Sequence, residues 1–266
     1  QLVELNRPDL KFLPYSPRFP ERILEHDGDC FAAIRQKDLV VHHPYESFEV
    51  VLSFLEQAAA DPDVIFLCSP NNPTGTPLDI AVIEAVYEAS RGIVVVDEAY
   101  WEFAPKDAAS AITLLEGRPR LLVSRTMSKA FAFAGARVGY LAADPAVIDA
   151  LRLVRLPYHL SALTQAAALA ALDHSSEMLG MVDEIVVQRD RISATLTELG
   201  YTPLPSWSNF VLFGGIADPA TLWQQLYDRG ILIRDVGIAG HLRVTAGTAG
   251  ETTAFLEALA SIDSNA

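Results

Sequence analysis

At 266 residues with half of them hydrophobic, the chain has apolar side chains enough for one large core or two modest ones, which excludes a disordered polymer. Twenty basic against 34 acidic residues leave a formal charge of −14, which disfavours nucleic acid, an anionic membrane or polyphosphate as partner of the whole surface. Cys30 and Cys68 stand far apart without metal-ligand spacing, and no signal peptide or long apolar span is read, so no metal and a reducing, cytoplasmic setting are expected.

Residues 1–25 carry Pro8, Pro14, Pro17 and Pro20 and predict extended segments and turns. Between Ser47 and Ala60, Phe48, Val51, Leu52, Leu55 and Ala59 recur at helical spacing and mark one apolar face. The texture changes within Asp61-Pro62-Asp63-Val64, without a Gly/Ser-rich hinge. From Val64 short apolar runs alternate with helices: Val64–Leu67, a helix over Asp79–Ser90, Ile93–Val96, then Leu121–Val123. Strand, helix, strand at this spacing predicts a parallel sheet. Helices are expected over 145–156 and 162–199. A smaller mixed unit follows, with strands at Phe210–Phe213, Ile231–Ile233 and Leu242–Thr245.

Three segments carry chemistry. In Ile93–Tyr100 an acid, Asp97, follows four apolar residues where a buried parallel strand ends, and ligands collect at such carboxyl ends. Asp97 there suits a protonated ring nitrogen and Tyr100 a phenolic oxygen; Asp97 equally suits a turn cap. Thr126-Met127-Ser128-Lys129 follows a second strand, with Arg137 eight residues on. Hydroxyls with an arginine suit a phosphate ester, and a lysine that loses its proton suits an aldehyde. The tetrapeptide alone also reads as an exposed helix start. Cys68–Gly75 is dense in turn formers after a third strand, and its amides suit either a tight loop or a ligand.

Taken together, Asn72-Pro73-Thr74-Gly75, Asp97 with Tyr100, Ser128-Lys129 and Arg137 resemble, in order and approximate spacing, the motifs of fold-type I pyridoxal-phosphate (PLP) aminotransferases. The resemblance implies an α/β fold: a parallel-sheet large domain and a small C-terminal α+β domain. It implies Lys129 as the lysine that joins PLP and later shuttles a proton, and Asp97 as partner of the ring nitrogen. Asn72 and Tyr100 would meet the ring's phenolate oxygen, and Thr126, Ser128 and Arg137 its phosphate. Arg125–Phe131, Arg155–Leu160, Asn209–Phe213 and Ile233–Val236 look more narrowly like the histidinol-phosphate aminotransferase family of histidine biosynthesis. That likeness implies histidinol phosphate or imidazole acetol phosphate, with glutamate or 2-oxoglutarate, as substrates. Arg243 and Arg234 would face their anionic ends, although either also reads as a surface arginine. The family is dimeric, so a homodimer is expected.

The start of the chain departs from that pattern. Leu5–Lys11 and Val40–Phe48 resemble an internal segment of polyphosphate kinase, and residues 1–63 are expected to be a fragment joined to an N-terminally incomplete aminotransferase. Six basic against twelve acidic residues there suit a polyanion poorly, and no kinase role passes to His42 or His43. The expected division is 1–63, a partial PLP-binding domain over 64–160, connecting helices over 161–200 and a small domain over 201–266. The part expected to be missing would supply a ring-stacking aromatic residue, a phosphate loop and edge strands. This leaves two readings, an impaired aminotransferase or a non-catalytic chimera, and an open sheet edge that invites pairing with residues 1–63.

Overall fold

The computed structural model describes residues 11–15, 31–33, 38–41 and 63–264, the first three groups as strand backbones. The helix expected over Ser47–Ala60, His42, His43 and Cys30 lie outside the described residues.

Among the described residues seven strands form the main sheet, in the order β1-β7-β6-β5-β4-β3-β2. They are β1 Lys11–Tyr15, β2 Phe31–Ala33, β3 Asp38–Val41, β4 Val64–Cys68, β5 Ile93–Asp97, β6 Leu121–Thr126 and β7 Gly139–Ala143. The centre, β4 to β6, is parallel as expected, and β3, for which no strand was expected, adds to it parallel to β4. Both flanks differ from the expectation of a purely parallel sheet, because β7 runs antiparallel to β6 and to β1, and β2 antiparallel to β3. The strands from residues 11–41 thus pair beyond both β4 and β7, where an open edge was anticipated.

Helix α1 (Ile80–Ala89) starts at Asp79, whose carboxylate accepts from Ala81 N at 2.8 Å, and ends at Ser90. Its Ile83, Val86 and Tyr87 pack on Ile65, Leu67, Val94, Val96, Leu121 and Val123 of one sheet face. On the other face Leu122, Leu141 and Ala143 meet Ile148 of α2 (Pro145–Val154), which is capped by Asp144 and ends two residues before the expected limit. The single helix expected over 162–199 is two: α3 (Ala162–Asp173) and α4 (Ser175–Glu198). The break is at His174, whose backbone leaves the helical region at φ −101°, ψ 20°.

The second sheet, β10-β9-β8, is antiparallel, with β8 Thr202–Pro203, β9 Phe210–Gly214 and β10 Leu242–Thr245. Helices α5 (Pro219–Tyr227) and α6 (Ala249–Asp263) close its core, where Phe213, Leu226, Leu242 and Leu259 are fully buried. Ile231–Ile233, expected as a strand, forms none. Trp223 Nε1 takes the Ile233 carbonyl at 2.8 Å, and only the next residue, Arg234, bridges to Arg243. The two sheets are joined through α4, whose Arg189 is 6% exposed and donates to the carbonyls of Phe103 and Ser208 at 3.0 and 3.3 Å.

Candidate active site

Parallel pairing brings the ends of β4, β5 and β6 into register: Cys68 lies opposite Asp97, and Asp97 opposite Ser124. The turns that leave these ends carry the residues singled out above. Ser124 Oγ donates to Asp97 Oδ1 at 3.1 Å. No cation pairs with Asp97 among the described residues, and protein crowding raises its pKa against the opposing pull of the Ser124 and Ala99 donors.

After β4, the turn closes with Gly75 N donating to Asn71 O at 2.7 Å and Asn71 Nδ2 to Thr74 Oγ1 at 2.9 Å. Gly75 sits at φ +79°, and a Cβ there would fall 2.2 Å from Ser206 Oγ, so glycine is required on both counts. Asn72 is left exposed at the site. Its Nδ2 reaches the Tyr100 hydroxyl at 3.4 Å, and its Oδ1 accepts from Arg243 Nη1. Tyr100 packs edge-on against Phe210 at 5.2 Å, and the Arg243 guanidinium lies 4.6 Å over that same ring.

After β6, Thr126 Oγ1 lies 2.9 Å from Ser128 Oγ and accepts from Ser128 N at 3.1 Å, an ST-type turn that aims both hydroxyls to one side. Lys129 Nζ stands 5.4 Å from the Tyr100 ring centre. Loss of water lowers the Lys129 pKa, and the positive charges of Arg243 and then Arg137 lower it further. The amine is thereby shifted toward its neutral, nucleophilic form. Arg137, left-handed at φ +53°, is exposed and bonds Ala134 O at 3.1 Å. Arg234 and Arg243 exchange backbone hydrogen bonds of 2.9 and 2.8 Å, and their like charges help lower the Arg243 pKa, after desolvation. Arg243 Nε is buried without an acceptor among the described residues. Asn72, Asp97, Tyr100, Lys129, Arg137, Arg234 and Arg243 are thus linked by hydrogen bonds, ring contacts or charge, with Thr126 and Ser128 in the turn that carries Lys129.

Sequence reasoning gave no role to a second layer behind Asp97. Glu98, 1% exposed, pairs with Arg125 at 2.8 Å, and Glu102 Oε1 lies 3.9 Å from the same guanidinium. The buried-acid signal was available in Asp97-Glu98, but the partners lie 12 and 27 residues away. Burial pushes the Glu102 carboxyl up to about 6, against the pull of Arg125. With a folded pKa above the unfolded one, Glu102 favours the fold most when protonated, below the unfolded value. That contribution is lost as pH rises through about 6. Glu102→Gln is therefore expected to be more stable than the parent by about 2 kcal/mol at pH 8 and nearly unchanged at pH 4. Urea melts at the two pH values measure it; an equal effect at both would refute the buried-acid account.

The sequence profile described as "Aminotransferase class I and II" matches residues 32–259. The chain belongs to the aminotransferase class I and II family. Within it, the histidinol-phosphate aminotransferase of Paenarthrobacter aurescens is 65% identical over 203 residues, 75% of this chain and 55% of that protein. That of Corynebacterium glutamicum (strain R) is 57% identical over 208 residues, 78% and 56% of the two chains. The chain spans a little over half the length of these curated relatives. A solved histidinol-phosphate aminotransferase of Sinorhizobium meliloti, in complex with pyridoxal-5'-phosphate, matches with a TM-score of 0.72 at 29% identity, covering 84% of this chain and 62% of that one. A decarboxylase from Sulfurospirillum multivorans, 23% identical with a TM-score of 0.71 over 82% and 66% of the two chains, shares the fold alone. The family match begins at residue 32 and so extends past the boundary expected near residue 63. The expected resemblance of residues 1–63 to polyphosphate kinase finds no support in these comparisons.

Proposed function

We propose that this aminotransferase-family chain binds PLP and exchanges an amino group between histidinol phosphate and 2-oxoglutarate, or between glutamate and imidazole acetol phosphate in reverse. The observation that carries the reading is the convergence, at the carboxyl ends of neighbouring strands, of a carboxylate without a cation partner among the described residues and an amine shifted toward neutrality, beside a phenol tied to an amide. That donor set fits PLP: Asp97 for the ring nitrogen, Asn72 and Tyr100 for the phenolate oxygen, and Thr126, Ser128 and Arg137 for the phosphate. The 54–65% identity to histidinol-phosphate aminotransferases supports the substrate assignment.

When bound, PLP supplies an aldehyde for covalent attachment and a ring that accepts electrons from the substrate's α-carbon. Lys129 would be the residue that holds the cofactor's aldehyde, and its amine would be the base that moves the substrate's α-proton. Asp97 would pair with the ring nitrogen and favour its protonated form. Arg243 presents the buried Nε that lacks an acceptor among the described residues, and with Arg234 it would hold the carboxylate or phosphate ester of the substrate. Residues 64–160 would form the cofactor-binding part, 161–200 the connection and 201–266 the substrate-closing part. Purified chain treated with PLP and borohydride, then mapped by peptide mass, tests the reading: the label should fall on the Lys129 peptide. Labels spread evenly over surface lysines would sink it.

Arg243→Lys keeps the charge but loses the fork. It is expected to raise KM for glutamate about tenfold or more while changing PLP affinity little. Steady-state kinetics beside an absorbance titration separate the two; an unchanged KM would remove Arg243 from substrate binding.

We also propose a homodimer. Leu153, Val154, Leu156, Tyr158 and Leu163, from α2 to the start of α3, are 67–99% exposed, an apolar surface fit for a second copy. Light scattering should find a dimer at micromolar concentration, and Leu153→Glu with Leu163→Glu a monomer. A monomeric parent would end this assignment.

A further inference from the structure

Glu98 follows Asp97 directly, yet its carboxylate serves a different set of partners. Asp97 takes Ser124 Oγ. Glu98 Oε1 accepts Ala111 N at 2.7 Å, Oε2 accepts Arg125 Nε and Nη2 at 3.0 and 2.8 Å, and Ser110 Oγ lies 3.0 and 2.8 Å from the two oxygens. Arg125 Nη2 also donates to Ser110 Oγ at 2.9 Å, and the guanidinium lies 5.9 Å from the Trp101 ring centre. A buried ion pair is seldom more stabilising than the apolar pair that could replace it, so stability alone does not account for this one.

Its place does. The last rung between β5 and β6 is Asp97 opposite Ser124, after which Glu98 N donates to Ser124 O at 2.8 Å, β5 ends, and β6 runs on through Thr126 beside β7. The Glu98–Arg125 pair ties them beyond that rung. One end of the tie adjoins Asp97 and the other adjoins Thr126, which opens the turn to Lys129. Ser110 and Ala111 brace it from the short 3₁₀ turn Ala111–Leu114, itself packed on the sheet core.

We propose that Glu98 and Arg125 are positioning residues for the cofactor: their ion pair fixes the separation between Asp97 and the Thr126–Lys129 turn, so that ring nitrogen and aldehyde are held by one rigid frame. This rests on the functional reading above. Neither residue touches the cofactor site through a hydrogen bond of its own among the described contacts. Their effect passes through Asp97 and Lys129.

Three measurements on the full chain test it: the melting temperature without cofactor, PLP affinity by absorbance titration below that temperature, and the pH midpoint of the visible band of bound PLP. Glu98→Gln keeps the side chain's length and removes its charge. It is expected to weaken PLP binding about tenfold or more and to displace the midpoint, since the geometry at both reacting ends changes. Ser110→Ala keeps both charges and removes the hydroxyl that joins them; a loss of about threefold in affinity is expected, and this variant decides the matter if Glu98→Gln does not fold. A merely structural pair would lower the melting temperature while folded protein bound PLP with the parent's Kd and midpoint, and that result overturns the proposal. If the parent chain itself takes up no PLP, the functional reading and the proposal fall together; if the parent binds and the variants bind equally, only the positioning role falls.

Discussion

Lys129→Ala is expected to abolish borohydride-trapped attachment of PLP and to lower transamination by at least about a thousandfold, since it removes the proposed nucleophile and proton carrier. PLP should still bind reversibly, because the contacts proposed for Asp97, Thr126 and Ser128 would remain. The parent's attachment should also depend on pH in a definite sense. Only the neutral amine reacts, and desolvation with Arg243 and Arg137 lowers the Lys129 pKa, so attachment rises with pH and reaches its midpoint below the usual lysine value. Stopped-flow absorbance after mixing with PLP reads this directly. Undiminished turnover in Lys129→Ala would move the chemistry to another residue.

Asp97→Asn is expected to leave attachment at Lys129 intact and to slow exchange of the substrate's α-proton. A charged hydrogen bond contributes roughly 1.5–3 kcal/mol, so a loss of about 10- to 100-fold is the expected size. Ser124 still donates to the amide oxygen, so the fold should be little disturbed. The measurement is proton exchange in heavy water followed by NMR, and an unchanged rate would leave Asp97 as a turn residue.

The parallel centre of the sheet was legible because Val64–Leu67, Ile93–Val96 and Leu121–Val123 are continuous apolar runs, as strands covered on both faces must be. The same rule located Asp97 and Lys129 after strand ends. β7 escaped it: Gly139-Tyr140-Leu141-Ala142-Ala143 is poor in strand formers, and tertiary pairing with β6 and β1 makes it a strand. Ile231–Ile233 misled in the opposite direction, since Ile231 and Ile233 serve the core of the small sheet while Leu232 stays exposed and an indole occupies the Ile233 carbonyl. Within the site, motif order pointed to the individual residues but not to their couplings. Arg243 and Asn72 meet across 171 residues, and Glu98, Arg125 and Ser110 form one network from three segments. Local spacing carries no trace of such pairs.

Cys68, at the end of β4 opposite Asp97, has its thiol pushed up to about 12 by burial and by that carboxylate. The thiolate fraction at neutral pH is then about a thousandfold below that of an ordinary cysteine, so alkylating reagents meet an almost inert sulfur while the fold holds. Reaction at Cys68, which is half-buried, is therefore expected to be slow while β4 stays paired beside Asp97. Its alkylation rate, followed on its own peptide, is expected to be low and to fall further on saturation with a tightly held cofactor, so that one sulfur reports from the floor of the site without any change to the residues around it.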